Sequence, residues 1–229
     1  MYNKISFNSV SKNLIKYKIG KYFRIKRLKI IKKIINKIFE QKGSVNIIDI
    51  GGSELYWELL EDNFLESRNV KITLLNLFDY NVINKNIFTY ARGNGCALKF
   101  DENEFDLSFS NSVIEHVGSY HNMIKFADEI KRVAKIFYCQ TPNIWFPLEA
   151  HSWFPYFQIM PDPLKFYLVT KFNLGYYTRQ ENDIDAIKTV TDAKLLSKNL
   201  LFSFFKKKGK IINEKFLFFN KSLIITNGL

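Results

Sequence analysis

From residue 45 onward the chain alternates short apolar runs with stretches of helical spacing. Val45–Ile50, Val70–Leu75, Asn86–Tyr90, Phe105–Ser110 and Ala134–Gln140 read as strands. Leu55–Leu65 and Tyr120–Arg132 read as helices, with another over residues 192–202. Such alternation predicts a parallel sheet with right-handed crossovers. Lys210–Phe219 and Ser222–Thr226, separated by Asn220-Lys221, predict a closing hairpin. Upstream, Leu28–Phe39 has the spacing of an amphipathic helix. Leu28, Ile31, Ile35 and Ile38 share one face, widened by Ile34 and Phe39, with Lys32, Lys33, Asn36 and Lys37 opposite. Residues 11–27 predict a second helix around Leu14, Ile15, Tyr22 and Phe23. These helices either cover a sheet face or lie on an anionic membrane surface. The expected organisation is a basic helical arm over residues 1–43 and one α/β domain over 44–229.

One stretch breaks the alternation. All five prolines fall in residues 142–163, and eleven aromatics fall in residues 145–177. Proline prevents regular strand pairing, so residues 142–190 read as a lid-like insert. Its aromatics divide between a packed core and a substrate wall.

The formal charge of +12 changes meaning once it is located. Residues 1–40 carry a net +11, so the main body is nearly neutral. Lys outnumbers Arg 28 to 6, although Arg is the preferred reader of bases and phosphates. Nucleic acid is therefore a disfavoured partner, and the basic residues 1–40 point instead to a peripheral membrane contact. Being segregated from the motifs below, the arm is also expected to be dispensable for cofactor binding. No run of 18 apolar residues exists, and the N-terminus lacks a signal-peptide core. Two cysteines and three histidines show no metal-ligand spacing, so the expectations are no metal, no disulfide and a cytoplasmic setting, in places peripheral to the inner membrane face.

The candidate chemistry lies in two segments. In Ile47-Ile48-Asp49-Ile50-Gly51-Gly52-Ser53-Glu54, a strand runs into an acid and two glycines, then a helix. Glycines let backbone N–H groups approach a ligand at the strand's carboxyl end. A P-loop is excluded because no Gly-Lys-Ser/Thr follows. The second segment runs from Gly93-Asn94-Gly95-Cys96-Ala97-Leu98-Lys99-Phe100 to Phe105-Asp106-Leu107-Ser108-Phe109-Ser110-Asn111-Ser112-Val113-Ile114-Glu115-His116-Val117. A Gly-polar-Gly loop and a strand ending in Ser110-Asn111 would open on the same edge as the first turn.

With Thr141-Pro142-Asn143 following, the order of these motifs resembles the class I S-adenosylmethionine-dependent methyltransferases, most closely their type 11 small-molecule group. The resemblance spans about residues 45–143. It implies a Rossmann-like sheet of seven strands, mostly parallel with the last antiparallel, and helices on both faces. It implies S-adenosylmethionine as cofactor, with Asp49, Gly51, Gly52 and Ser53 at the methionine end. It puts Asn76, or Asp79 as runner-up, at the ribose, Asn94 and Gly95 at the adenine, and Ser110 and Asn111 beside the sulfonium. Ser53 stands where the family has a last glycine, and Asn76 and Asn94 where it has acids. An amide oxygen still accepts these hydrogen bonds, at about 0.5–1.5 kcal/mol net against roughly 1.5–3 for a charged acceptor.

The acceptor must meet the methyl group in line and lose a proton. His151 and His116 are the candidate catalytic bases because imidazole titrates near neutrality. Glu149 is a candidate partner of His151, and His116 has a competing structural reading as a cap or packing partner. His121 reads as solvated. The expected function is O-methylation of a small-molecule or sugar-like acceptor. The alternatives are a non-catalytic cofactor-binding protein and a nucleic-acid-associated methyltransferase using the basic arm.

Overall fold

The structure, a computed structural model, describes residues 7–60, 63–79 and 81–229, with helical side chains from residue 18 onward. It opens with one helix, α1 (Phe7–Lys42), where the sequence predicted two. Leu14 and Ile15, expected to anchor the first of them, have side chains outside the described residues. The face predicted for Leu28–Phe39 forms as expected. Leu28, Ile31, Ile34, Ile35 and Ile38 are buried, and Phe23 extends the stripe N-terminally. This stripe lies in one core with Val45, Ile47, Ile72 and Leu107 of the sheet. The face that an interfacial helix would insert into lipid is thus occupied by the sheet.

Seven strands follow: β1 (Val45–Ile50), β2 (Val70–Asn76), β3 (Phe88–Arg92), β4 (Phe105–Asn111), β5 (Ala134–Pro142), β6 (Lys210–Phe216) and β7 (Phe219–Thr226). Their spatial order is β3-β2-β1-β4-β5-β7-β6. The first five are parallel, and β7 runs antiparallel to both β5 and β6. The order reverses between β1 and β4, which opens a crevice at the carboxyl ends of those strands. A second core on the opposite face joins Ile48, Ile50 and Ile225 to α3 (Tyr120–Arg132) and α6 (Lys198–Phe204). Both helices start at a serine cap. Ser119 accepts from the Asn122 N–H, and Ser197 from the Leu200 N–H.

Three expected elements differ. The helix expected over Leu55–Leu65 ends early, as α2 (Glu54–Trp57). Tyr56, Trp57, Leu60, Phe64 and Leu65 are still buried, so tertiary packing keeps the apolar pattern while the backbone turns. The helix expected over residues 192–202 starts later, as α6, and an unexpected helix, α5 (Asp183–Thr191), precedes it. The hairpin turns at Leu217-Phe218 rather than Asn220-Lys221. Asn143 explains this. Its side-chain amide donates to the Asn220 carbonyl at 2.8 Å and its backbone N–H to that of Lys221 at 3.1 Å, which holds both residues in β7.

The insert between β5 and α6 contains α4 (Asp162–Lys171) and α5, and it has its own small core of Phe157, Val169, Leu174 and Ala186. Other aromatics, among them Trp153 and Tyr176, line a cavity against the sheet edge. The aromatics of the insert thus divide between a packed core and a cavity wall.

Candidate functional site

The turn after β1 is built around Asp49. Its carboxylate is 1% exposed, and Oδ2 accepts from the Trp57 indole N–H at 2.8 Å. Oδ1 is buried with no partner among the described residues. Burial pushes this carboxyl up to about 7, against the bond from Trp57. Gly51 has φ +79°, and its N–H donates to the Leu75 carbonyl at 2.7 Å. At Gly52 a Cβ would lie 1.8 Å from Asp49 Oδ2, so only glycine fits. The Asn76 amide donates to the Gly52 carbonyl at 3.0 Å and fixes the turn to the end of β2.

Asp49, Gly51, Gly52, Ser53 and Asn111 line one cavity of about 200 Å³ with Arg24, Tyr56 and Phe109. Ser110 adjoins Asn111 on β4, buried and with no partner for its hydroxyl among the described residues. Asn94 and Gly95 are on a separate loop of the same edge and line neither this cavity nor the next. Asn94 is exposed and its side-chain oxygen accepts from the Cys96 N–H, closing a local turn. A Cβ on Gly95 would meet Phe126 at 2.6 Å and Ile50 at 2.9 Å, so that glycine serves packing. Asp79 is exposed, with Arg92 at 3.7 Å.

A second cavity, of about 420 Å³, lies between the sheet edge, α1 and the insert. Its wall includes Asn111, Ser112, Gln140, Glu149, His151, Trp153 and Lys221. Asn111 and Arg24 belong to both cavities. Lys221 holds its amine 4.6 Å from the centre of the Phe23 ring. Burial, with Arg27 nearby, pulls that amine down to about 8.

The structure brings together the two candidate histidines. The rings of His116 and His151 pack edge to face with centroids 4.9 Å apart. His151 Nδ1 is 2.7 Å from Glu149 Oε1, and His116 Nδ1 is 3.2 Å from Asp192 Oδ2. Burial disfavours charge on His116, but the bond to Asp192 and the negative charges of Glu115 and Asp192 together outweigh it and raise the imidazole above its ordinary value. Burial also opposes charge on Glu149, yet His151 keeps that carboxyl low. Gly175 and Tyr176 brace the loop, with the Tyr176 N–H donating to the His151 carbonyl at 2.8 Å. His121 is exposed, as expected.

Sequence reasoning missed the contribution of α1. Arg27 Nε and Nη2 donate to the Glu214 carboxylate at 2.6–3.2 Å, and Nη1 donates to the Asn111 side-chain oxygen at 3.0 Å. The basic arm is therefore not segregated from the motifs, and the premise that made it dispensable fails. The signal available was the presence of Arg24 and Arg27 in an arm whose other basic residues are all Lys.

Residues 49–136 match the family model described as a methyltransferase domain. This match and the sheet order agree with the class I methyltransferase resemblance of the sequence. No curated protein matches the chain. Among solved structures, a phosphoethanolamine N-methyltransferase 2 from Haemonchus contortus is 14% identical, with a TM-score of 0.47 over 74% of this chain and 35% of that one. The [4+2]-cyclase SpnF is 10% identical, with a TM-score of 0.45 over 80% and 59%. A SAM-dependent methyltransferase from Methanosarcina mazei is 14% identical, with a TM-score of 0.49 over 80% and 91%. The chain thus spans about a third and three fifths of the first two, and these likenesses carry no argument about activity.

Proposed function

With the methyltransferase-domain match over residues 49–136 as premise, we propose that this chain is an S-adenosylmethionine-dependent methyltransferase acting on an oxygen of a small-molecule or glycan acceptor. The observation that carries the reading is the common wall. Two cavities of unequal size share Asn111 at the carboxyl end of β4. Ligands on either side of that residue would meet there.

The residues present fit the cofactor. Asp49 Oδ1 is a buried acceptor with no donor among the described residues, which suits a cationic ammonium group. Gly51 and Gly52 leave the backbone open to close approach. Asp49, Gly51, Gly52 and Ser53 would hold the methionine end, Asn76 the ribose side, Asn94 the adenine side with Gly95 packing its loop against Phe126 and Ile50, and Ser110 and Asn111 the sulfonium end. When bound, the cofactor supplies a methyl group already activated by its positive sulfur. The protein's work is to align the acceptor, exclude water and let a proton leave. Trp153, Tyr176 and Phe146 provide the apolar wall. The proton leaves on the side where His151 and Glu149 stand, with His116 and Asp192 behind them. A walled cavity of this size favours a bounded acceptor over a nucleic-acid strand.

Calorimetry with S-adenosylhomocysteine tests the reading. Micromolar binding by the full chain, lost in Gly52→Val, supports it. Equal binding by the variant, or none by the wild type, removes it.

A further inference from the structure

We propose that Glu115, His116 and His151 bind one divalent transition-metal ion at the wall of the larger cavity. One candidate ligand atom from each residue lies within 4.8 Å of the others. Glu115 and His116 come from the short turn after β4, and His151 comes from the insert, 35 residues further on. The fold, not the sequence spacing, assembles the set.

Two independent features point to a cation. The first is the environment of the imidazoles. Each has its Nδ1 beside a carboxylate, Glu149 for His151 and Asp192 for His116. Histidine ligands commonly give one ring N–H to a carboxylate, which fixes the tautomer and makes the other nitrogen a better donor to metal. Both rings then keep Nε2 for coordination. The second is Glu115, which is 0% exposed. Its Oε2 accepts from the Thr141 hydroxyl at 2.9 Å, while Oε1 is buried with no partner among the described residues. A buried acceptor without a donor is costly, and a cation is the partner its chemistry accepts. No Lys or Arg pairs with Glu115, Glu149 or Asp192 among the described residues.

Two imidazoles and one carboxylate suit Zn²⁺ or a similar borderline cation and leave coordination positions open. Because His151 lines the larger cavity, an open position faces the acceptor. The consequence rests on the methyltransferase reading. An acceptor hydroxyl bound to the cation has a lowered pKa and releases its proton to solvent. Its oxygen then forms the new bond to the methyl carbon as the carbon–sulfur bond breaks, leaving the neutral thioether.

The test uses the full chain without a histidine tag, stripped with chelator and titrated calorimetrically with Zn²⁺ alone. The expected result is one ion per chain at micromolar affinity or tighter. His116→Ala and His151→Ala should each weaken binding by at least tenfold while keeping wild-type affinity for S-adenosylhomocysteine. Asp192→Asn, at a half-exposed position, should weaken Zn²⁺ binding about tenfold through the orientation of His116. It serves if the alanine variants fail to fold. The absence of saturable Zn²⁺ binding by the wild type, or unchanged affinity in the variants, overturns the site. The two readings fail separately. Zn²⁺ binding without S-adenosylhomocysteine binding removes the methyltransferase reading and leaves the metal site. Undiminished methyl transfer by a stripped chain that takes up no Zn²⁺ does the reverse.

Discussion

Arg27 of α1 donates through Nη1 to the side-chain oxygen of Asn111, 84 residues away, at 3.0 Å. That bond takes the amide oxygen of a residue common to both cavities and leaves its amide N–H₂ as a donor at their junction. Arg27 is itself held by the buried carboxylate of Glu214. The position of a helix outside the methyltransferase-domain match therefore governs a side chain inside it.

Arg27→Ala should lower stability by about 3–5 kcal/mol, because it strands Glu214 in a dry environment. A double change, Arg27→Met with Glu214→Leu, should recover most of that loss, since a packed apolar pair often replaces a buried ion pair at little cost. Turnover should remain low in both, because Asn111 loses its orienting donor. Urea denaturation and steady-state assays measure the two effects. Full recovery of turnover in the double variant would show that the Asn111 bond is incidental.

Two glycines give opposite expectations. Gly52→Ala places a methyl group 1.8 Å from Asp49 Oδ2 and should cost at least a hundredfold in affinity for S-adenosylhomocysteine. Gly20, within α1, has no atom within 4 Å of a built Cβ. Gly20→Ala should raise stability by up to about 1 kcal/mol through helix propensity and leave cofactor affinity unchanged. Thermal melts and calorimetry separate them.

Asp49 should make S-adenosylhomocysteine binding depend on pH. Burial raises its carboxyl to about 7, and only the charged form attracts an ammonium group. Affinity for S-adenosylhomocysteine should therefore rise as pH increases through about 7, and Asp49→Asn should flatten that rise. The stability of the free protein runs the other way. A folded value above the unfolded one means that Asp49 favours folding at low pH, an advantage lost as pH rises from about 4 through 7. Cofactor titrations between pH 5.5 and 8.5 read the first effect, and denaturation over a wider range reads the second.

His151→Ala should lower turnover by about 10²-fold or more while cofactor affinity stays within a few-fold. His151 lines only the larger cavity, so a change in cofactor affinity equal to the change in turnover would contradict its place on the acceptor side.

Local chemistry was legible in the sequence where a single segment carries it. The turn at Gly51-Gly52 and the end of β4 at Ser110-Asn111 form where the motifs put them, because strand, glycine and helix start are consecutive. The apolar stripe of α1 was legible from its period alone. What could not be read depended on distant partners. Trp57 gives its indole N–H to Asp49 at the end of α2, which stops after four residues. Asn143 draws Asn220 and Lys221 into β7 and moves the hairpin turn. The meeting of His116 with His151, and of Arg27 with Glu214, requires the crossover of the insert and of α1. No periodicity encodes those contacts.

The ion pair between Arg27 and Glu214 spans 187 positions. In terms of synthesis, the larger cavity acquires its final wall only after residue 214 has been made, because β6 carries the charge that fixes the helix. Until then Arg27 has no counter-ion and Asn111 no fixed orienting donor, while the parallel strands β1 to β5 are already available to pair. Contacts of such high sequence separation close late and slowly. A nascent or C-terminally clipped chain without β6 would thus leave Arg27 without its buried carboxylate and the wall of the larger cavity unfinished.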